Sequence, residues 1–443
     1  MTYTSVINIL LTHFSDFENS LFKGIEALLN ISTAPITNTT KFNYIYIYGH
    51  KARKEIFTMK LVFKKSNLTN AVNIVLKAVP SKTTMSILEC ILIDASTNEI
   101  KFTANDMELG IETLVEGEII EKGKIAIDAK IFSEIVRKLP DSEITISTDN
   151  NYQMLITCEK AKFNIAGKSG EDFSYLPMIE KDKFIYLSQF TLKEIIRQTI
   201  FSIADNDNNK IMTGELFEVN GNELKVVSLD GHRISIRKVE LKDSFDTISA
   251  IVPGKTLTEI CKILNGGNDD EVRIFFTMNH IVFEFDNTVV VSRLIEGEYF
   301  KINQMLSSDY ETKININKKE FLDCIDRATL LIKEGDKKPI IITIQDGELE
   351  LKINSVMGSM NENITITKEG KDIMIGFNPK FLIDALRVID DEEIKIYLLN
   401  AKAPCFIKND DESYIYLVLP VNFNVINNCL LYTSDAADEA RSV

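Results

Sequence analysis

The chain has 443 residues, 45% of them hydrophobic, with 19 glycines and 9 prolines, a composition that excludes a fibrous or largely disordered polypeptide and predicts two to four packed domains. A formal charge of −15 argues against broad non-specific nucleic-acid binding, yet leaves room for basic residues gathered on one surface. No apolar run reaches the ~20 residues of a membrane span. The six cysteines, Cys90, Cys158, Cys261, Cys324, Cys405 and Cys429, form no C-x-x-C pair and lie away from the four histidines, which excludes zinc-ligand spacing and fits buried thiols in a reducing cytoplasm.

Residues 1–58 form a flank. The apolar patch at 6–11 lacks a basic region before it and makes a poor secretory signal. Residues 17–29 have the spacing of an amphipathic helix and 42–48 alternate like a strand. Neither continues the pattern that begins at Met59. The flank reads either as a regulatory extension or, preferably, as translated sequence upstream of the true start.

From Met59 the chain repeats itself. Helical segments opening at Lys130, Lys255 and Lys380 start 125 residues apart, twice. Their apolar positions are Phe132, Ile135, Val136 and Leu139, then Leu257, Ile260, Cys261 and Leu264, then Leu382, Ala385, Leu386 and Ile389. Each set follows i, i+3, i+4, i+7, one face of a helix. Each segment also carries a basic residue at its start and seven on, as Lys130/Arg137, Lys255/Lys262 and Lys380/Arg387. A second helix opens each repeat, over 68–78, 192–203 and 321–332, with Lys77, Lys193, Arg197 and Arg327 among its basic residues. Short alternating runs such as 143–147, 154–157 and 272–276 predict strands. Two helices and many strands per unit give an α+β class with three repeated domains. Polar interruptions near 178–183 and 307–312 mark the boundaries. Residues 425–443 leave the pattern; from Cys429 the tail resembles translated sequencing adapter, and its small, polar, acidic composition predicts disorder.

No convincing catalytic constellation emerges. Pro253-Gly-Lys-Thr looks like half a phosphate loop, but Ser249 stands where the first glycine is needed, and 117–124 fails on spacing. Gly254 then reads as a strand-to-helix turn. No G-x-S-x-G elbow or zinc-type histidine pair occurs. The acidic pairs Asp269/Asp270, Asp390/Asp391 and Asp410/Asp411 read as solvated turns.

The stretch Ser228-Leu-Asp-Gly-His-Arg-Ile-Ser places Asp-Gly between two alternating runs, a strong hairpin signal. Asp-Gly-His-Arg also resembles the central signature of the bacterial DNA polymerase III β subunit, the sliding-clamp family. Met59-Lys-Leu-Val-Phe resembles that family's first strand, Leu294-Ile-Glu-Gly-Glu-Tyr-Phe its Leu-Val-Asp-Gly-Arg-Phe-Pro stretch, and Tyr416-Leu-Val-Leu-Pro-Val its C-terminal strand. The four matches occur in order between Met59 and about Asn424.

The resemblance implies a DNA-clamp fold with domains at 59–180, 181–309 and 310–424, closed as a ring-shaped homodimer around double-stranded DNA. It implies a cytoplasmic replication processivity factor, not an enzyme, with no cofactor, metal or membrane. Its implied partners are the replicative polymerase catalytic subunit, an ATP-dependent clamp loader and other proteins carrying a clamp-binding motif. Implied phosphate contacts are Lys82, Lys130, Arg137, Lys193, Arg197, Lys255, Lys262, Arg327, Lys380 and Arg387. The implied peptide pocket comprises Met212, Leu229, Gly231, His232, Arg233, Ile234, Phe300, Met305, Asn378, Phe381, Leu417, Leu419, Pro420 and Val421. Leu229 and Ile234 are expected as its wall, with His232 and Arg233 at its rim. Phe300 stands for the usual Pro and Asn422 for the common Arg. The implied dimer contact sets Phe163 and Ile165 against Leu330 and Leu331, with Glu362 as sparse charge support. Two other readings compete: an acidic peptide-docking scaffold that never encircles DNA, separated by retention on circular DNA, and a metal-dependent nuclease, separated by magnesium-dependent cleavage.

Overall fold

The computed structural model describes residues 59–205, 209–306, 309–333, 338–426 and 429–431, by backbone alone from residue 424 onward. The helix expected over 17–29 and the strand over 42–48 lie outside the described residues.

Among the described residues six α-helices fall in three pairs: α1 (Lys65–Val75) with α2 (Ala129–Lys138), α3 (Gln189–Thr199) with α4 (Gly254–Ile263), and α5 (Lys318–Thr329) with α6 (Pro379–Val388). Local chemistry starts most of them. Asp128, Ser188, Asn317 and Asn378 each accept a hydrogen bond from a backbone amide of the first turn, and Pro379 takes the first position of α6. α4 has no such cap; it begins at Gly254, where a Cβ would lie 2.2 Å from Ile203 Cδ1 and 3.0 Å from the Thr213 carbonyl oxygen. Pro253-Gly-Lys-Thr is thus a packing turn that only glycine fits.

The predicted stripes face the core. Phe132, Val136 and Leu139, Leu257, Ile260 and Leu264, and Leu382, Ala385, Leu386 and Ile389 are all buried, while Ile135 and Cys261 are half-buried. Each fully buried aliphatic or Phe side chain contributes about 1.5–3 kcal/mol of transfer free energy. Cys90, Cys158, Cys324 and Cys405 are buried free thiols. Strands form over Glu143–Thr148, Gln153–Cys158 and Glu271–Phe276, where alternation placed them.

The sheets ignore the repeat boundaries. A 13-stranded sheet runs through the first and second repeats, crossing between them where Leu109–Leu114 pairs with Thr288–Arg293. A seven-stranded sheet joins the second to the third, with residues 233–237 against 414–418. The second repeat is therefore split between two sheets. A four-stranded sheet completes the third and ends in Gly358–Thr365, whose outer edge is unpaired among the described residues. In the first repeat, Ala161–Ser169 pairs through 161–166 with one neighbour and only through 167–169 with the other. Residues 161–166 thus also carry an open edge.

One apolar core fills the first two repeats and another the third. A smaller cluster lies where the second meets the third: Leu216, Val227, Leu229, Ile234, Ile236 and Ile302 join Phe406, Ile415 and Leu417. At the C-terminus, where the sequence predicts disorder from 425, Asn424–Ile426 pairs antiparallel with Cys429–Leu431. Residues 432–443 lie outside the described residues.

Candidate functional site

Strand Gly214–Leu229 turns at Asp230, Gly231 and His232 and returns as Arg233–Pro253, with Leu229 opposite Ile234. Gly231 holds φ at +85°, and a Cβ there would meet nothing within 4 Å; backbone conformation, not space, selects glycine. Asp230 Oδ1 accepts from the amides of His232 at 3.0 Å and Arg233 at 3.1 Å, closing the turn locally.

This hairpin end meets the third repeat. Leu229, Ile234 and Leu417 share the apolar cluster, with half-buried Met212 and Phe300 packed on it. Phe300 stands edge-on to Tyr299, ring centroids 5.8 Å apart. The Leu419 amide donates to the His232 carbonyl at 2.9 Å, and the Val421 amide to the Gly376 carbonyl at 2.8 Å, so the Leu419-Pro420-Val421 segment is pinned beside the turn. Asn378 caps α6, and its carbonyl accepts the Phe381 amide at 3.2 Å. The Phe381 ring stacks on His232 at 5.9 Å. Met305 and Leu419 are exposed, and the Met305 amide donates to the carbonyl of Ile302, a member of the same cluster, at 2.8 Å. Met212, Leu229, Ile234, Phe300 and Leu417 thus share one apolar cluster, while His232, Phe381 and Leu419 lie against the turn beside it.

Arg233 is the exception to the expected layout. It is 6% exposed, beneath the pocket wall instead of at its rim. Nε donates to Asp230 at 2.9 Å, Nη1 to Asp384 at 2.7 Å and Nη2 to the Phe201 carbonyl at 2.6 Å. Its guanidinium carbon lies 4.5 Å from the Phe381 ring centroid and 5.5 Å from that of Phe201. Burial works against the charge, but Tyr416, Asp384 and Asp230 outweigh it and hold the pKa above the ordinary guanidinium value. A planar fork between two carboxylates and two rings is a place an arginine can be buried. Tyr416 Oη donates to the Phe381 carbonyl at 2.8 Å, tying the backbone of that residue to the strand Tyr414–Val418.

The basic columns divide into two kinds. Arg137 pairs with Glu134 at 3.4 Å, Lys262 with Glu259 at 2.7 Å and Arg387 with Asp326 at 3.6 Å. Arg197 binds Glu194 and, across to the third repeat, Asp390 at 2.8 Å and the Val388 carbonyl at 3.0 Å. Lys255 reaches Asp106 of the first repeat, and Arg327 bonds Glu362. Lys193 donates to the Leu264 carbonyl at 3.3 Å. Lys82, Lys130 and Lys380 are exposed and have no ion-pair partner among the described residues. Among those residues no group of three or more His, Cys, Asp or Glu is placed to hold a metal ion.

Comparison with known proteins gives three successive family matches: the N-terminal domain of the DNA polymerase III beta subunit at residues 59–177, the central domain at 186–301 and the C-terminal domain at 303–422. The chain belongs to the DNA polymerase III beta subunit family. It is 36% identical to the beta sliding clamp of Bacillus subtilis over 376 residues, 82% of this chain and 99% of that one. It is 34% identical to the Staphylococcus epidermidis beta sliding clamp over 374 residues, with the same coverage. Among solved structures it resembles a DNA polymerase III beta subunit from Eubacterium rectale, with 70% identity, a TM-score of 0.81 and coverage of 83% and 100%. The Bacillus subtilis sliding clamp structure aligns with a TM-score of 0.80 at 35% identity, covering 82% and 99%.

At the candidate edges of this clamp, Phe163 and Leu330 project into solvent, Leu330 with 74% exposure. Ile165 and Leu331 instead pack partly on the cores of their own repeats, so only one residue of each expected pair is fully offered outward. Glu362, the expected charge support, is occupied by Arg327 of the same chain. Sequence reasoning missed Asp384, Phe201 and Tyr416, the partners that bury Arg233. Asp384 was visible as the acid four residues after Lys380, but its partner is 151 residues away in sequence.

Proposed function

We propose that this sliding clamp works as a head-to-tail dimeric ring around duplex DNA, tethering the replicative polymerase catalytic subunit and other motif-bearing proteins in the cytoplasm. It performs no chemistry; an ATP-dependent loader opens the ring. The observation that carries the closure is that, among the described residues, one edge in the first repeat, residues 161–166, and one in the third, Gly358–Thr365, are open, each beside an exposed apolar side chain. An exposed edge is a template for another strand. An edge in the first repeat matched to a different edge in the third is a heterologous contact, which closes into a ring when two copies complete the rotation. Phe163 and Leu330 beside those edges supply apolar area.

The test is topological. The loaded ring is expected to remain on nicked circular DNA and to be lost from linear duplex with free ends. Equal retention on both would rule out encirclement and leave the scaffold reading.

The apolar seam supports one docking site per subunit, suited to a short peptide with a few aliphatic or aromatic anchors. Anchors of that size gain about 25 cal/mol per Å² buried, which after association costs gives roughly micromolar affinity. Leu419→Ala is expected to weaken such a peptide by about 1–3 kcal/mol. Dimer mass and DNA retention should stay as in the parent. Calorimetry with a Gln-Leu-x-Leu-Phe-type peptide measures the change; an affinity equal to the parent's would remove this seam as the docking site.

A further inference from the structure

The three helix columns are not uniform. In α2, Lys130 has no carboxylate partner among the described residues, while Arg137, seven residues on, is matched by Glu134 at 3.4 Å, and Lys138 shares that carboxylate at 3.7 Å. In α4, Lys262 is matched by Glu259 at 2.7 Å. In α6, Lys380 has no carboxylate partner among the described residues, whereas Arg387 is matched across the helix pair by Asp326 of α5 at 3.6 Å. The later cation of every column has a carboxylate partner. The remaining matched cations, Arg197, Lys255 and Arg327, face Glu194 with Asp390, Asp106 and Glu362.

We infer that, of the ten phosphate contacts the sequence implies, only Lys82, Lys130, Lys193 and Lys380 meet the duplex, and that the other six are held silent by the clamp's own carboxylates. The inference deepens the DNA-encircling reading and rests on it. A phosphate arriving beside Arg137–Glu134 or Lys262–Glu259 meets a cation and an anion on one helical turn, and attraction and repulsion nearly cancel. These exposed pairs are weak enough to open, but the freed carboxylate stays on the same face. Counterion release, which sets phosphate affinity, follows net charge and not the number of cations. Lys193 belongs with the active set because its partner is a carbonyl, which directs the ammonium without neutralising it. The consequence is a lining that attracts duplex at a few points and lets it pass elsewhere, as a ring that must slide requires.

The experiment tracks the one-dimensional diffusion of the loaded full-length dimer along duplex DNA at low and at near-physiological salt. Three variants are compared with the parent. Removing whole pairs, as Glu134→Gln with Arg137→Gln and Glu259→Gln with Lys262→Gln together, is expected to leave diffusion within about twofold of the parent at both salts. Lys130→Gln with Lys380→Gln is expected to abolish most of the low-salt slowing. Glu134→Gln with Glu259→Gln, which frees the silenced cations, is expected to slow low-salt diffusion about twofold or more. The inference is overturned if whole-pair removal speeds diffusion as much as the lysine substitutions do, or if freeing the cations changes nothing. Retention of the parent on nicked circles is scored in the same preparation. Its loss would overturn the encirclement reading and the inference with it, whereas retention with unresponsive variants overturns the inference alone.

Discussion

Arg233→Ala is expected to lower the stability of the clamp by about 3–5 kcal/mol, the loss typical of breaking a buried ion pair from one side. The substitution deletes a 6%-exposed guanidinium and strands Asp230, Asp384 and the Phe201 carbonyl, all of which it bonds at 2.6–2.9 Å. Two carboxylates then face each other's charge in a partly dry seam. Urea unfolding should show a lower midpoint. Peptide affinity should also fall about tenfold, because the Phe381 ring that stacks on His232 loses the cation holding it in place. Arg233→Lys should recover only part of both losses, since a point charge cannot span the two carboxylates and the carbonyl together. A stability loss below about 1 kcal/mol for Arg233→Ala would show that the seam is held by its apolar cluster alone.

The second large effect has the opposite sign. Glu215 is fully buried in the strand Gly214–Leu229, and neither carboxyl oxygen has a hydrogen-bond partner among the described residues. Burial pushes its pKa up to about 8, against a smaller opposing effect of Thr199, whose hydroxyl gives its own proton to the Ile195 carbonyl. The native carboxyl therefore stays protonated to about pH 8, whereas the unfolded chain ionises near 4.5. Between those values the unfolded state binds fewer protons than the native one, so stability falls as pH rises, by about 1.4 kcal/mol per unit at most. Above the native pKa both states are ionised and no further loss follows. Glu215→Gln keeps the shape and removes the titration. Parent and variant should have similar stability near pH 5, and the variant should be more stable near pH 8 by a few kcal/mol on the order set by that slope. Thermal midpoints at the two pH values check this; a difference independent of pH would show that Glu215 does not titrate between them.

Much of the architecture was legible because its causes are local. The i, i+3, i+4, i+7 spacing of Phe132, Ile135, Val136 and Leu139 forces a helix with one buried face, and its recurrence at 125-residue intervals marks repeats. Asp230-Gly231 turns the chain because Asp230 can accept the next amides and Gly231 can take positive φ. Of the pocket, Leu229, Ile234 and Leu417 were legible as apolar positions beside a recognisable turn. The charged residues were read less well. A lysine or arginine on a helix face looks the same in sequence whether it faces solvent, a neighbouring carboxylate or another domain.

The sequence by itself determined three repeats, their helix pairs, the turn at Gly231 and the apolar stripes, since each depends on residues within a few turns or one hairpin of one another. Only the tertiary structure decided which strands extend across repeat boundaries, because an antiparallel edge accepts any strand of matching register and length. It also decided that Arg233 is buried and that Lys130 has no carboxylate partner among the described residues. Ion-pair partners such as Asp384, 151 residues from Arg233, are chosen by the packing of domains and leave no periodic trace in the chain.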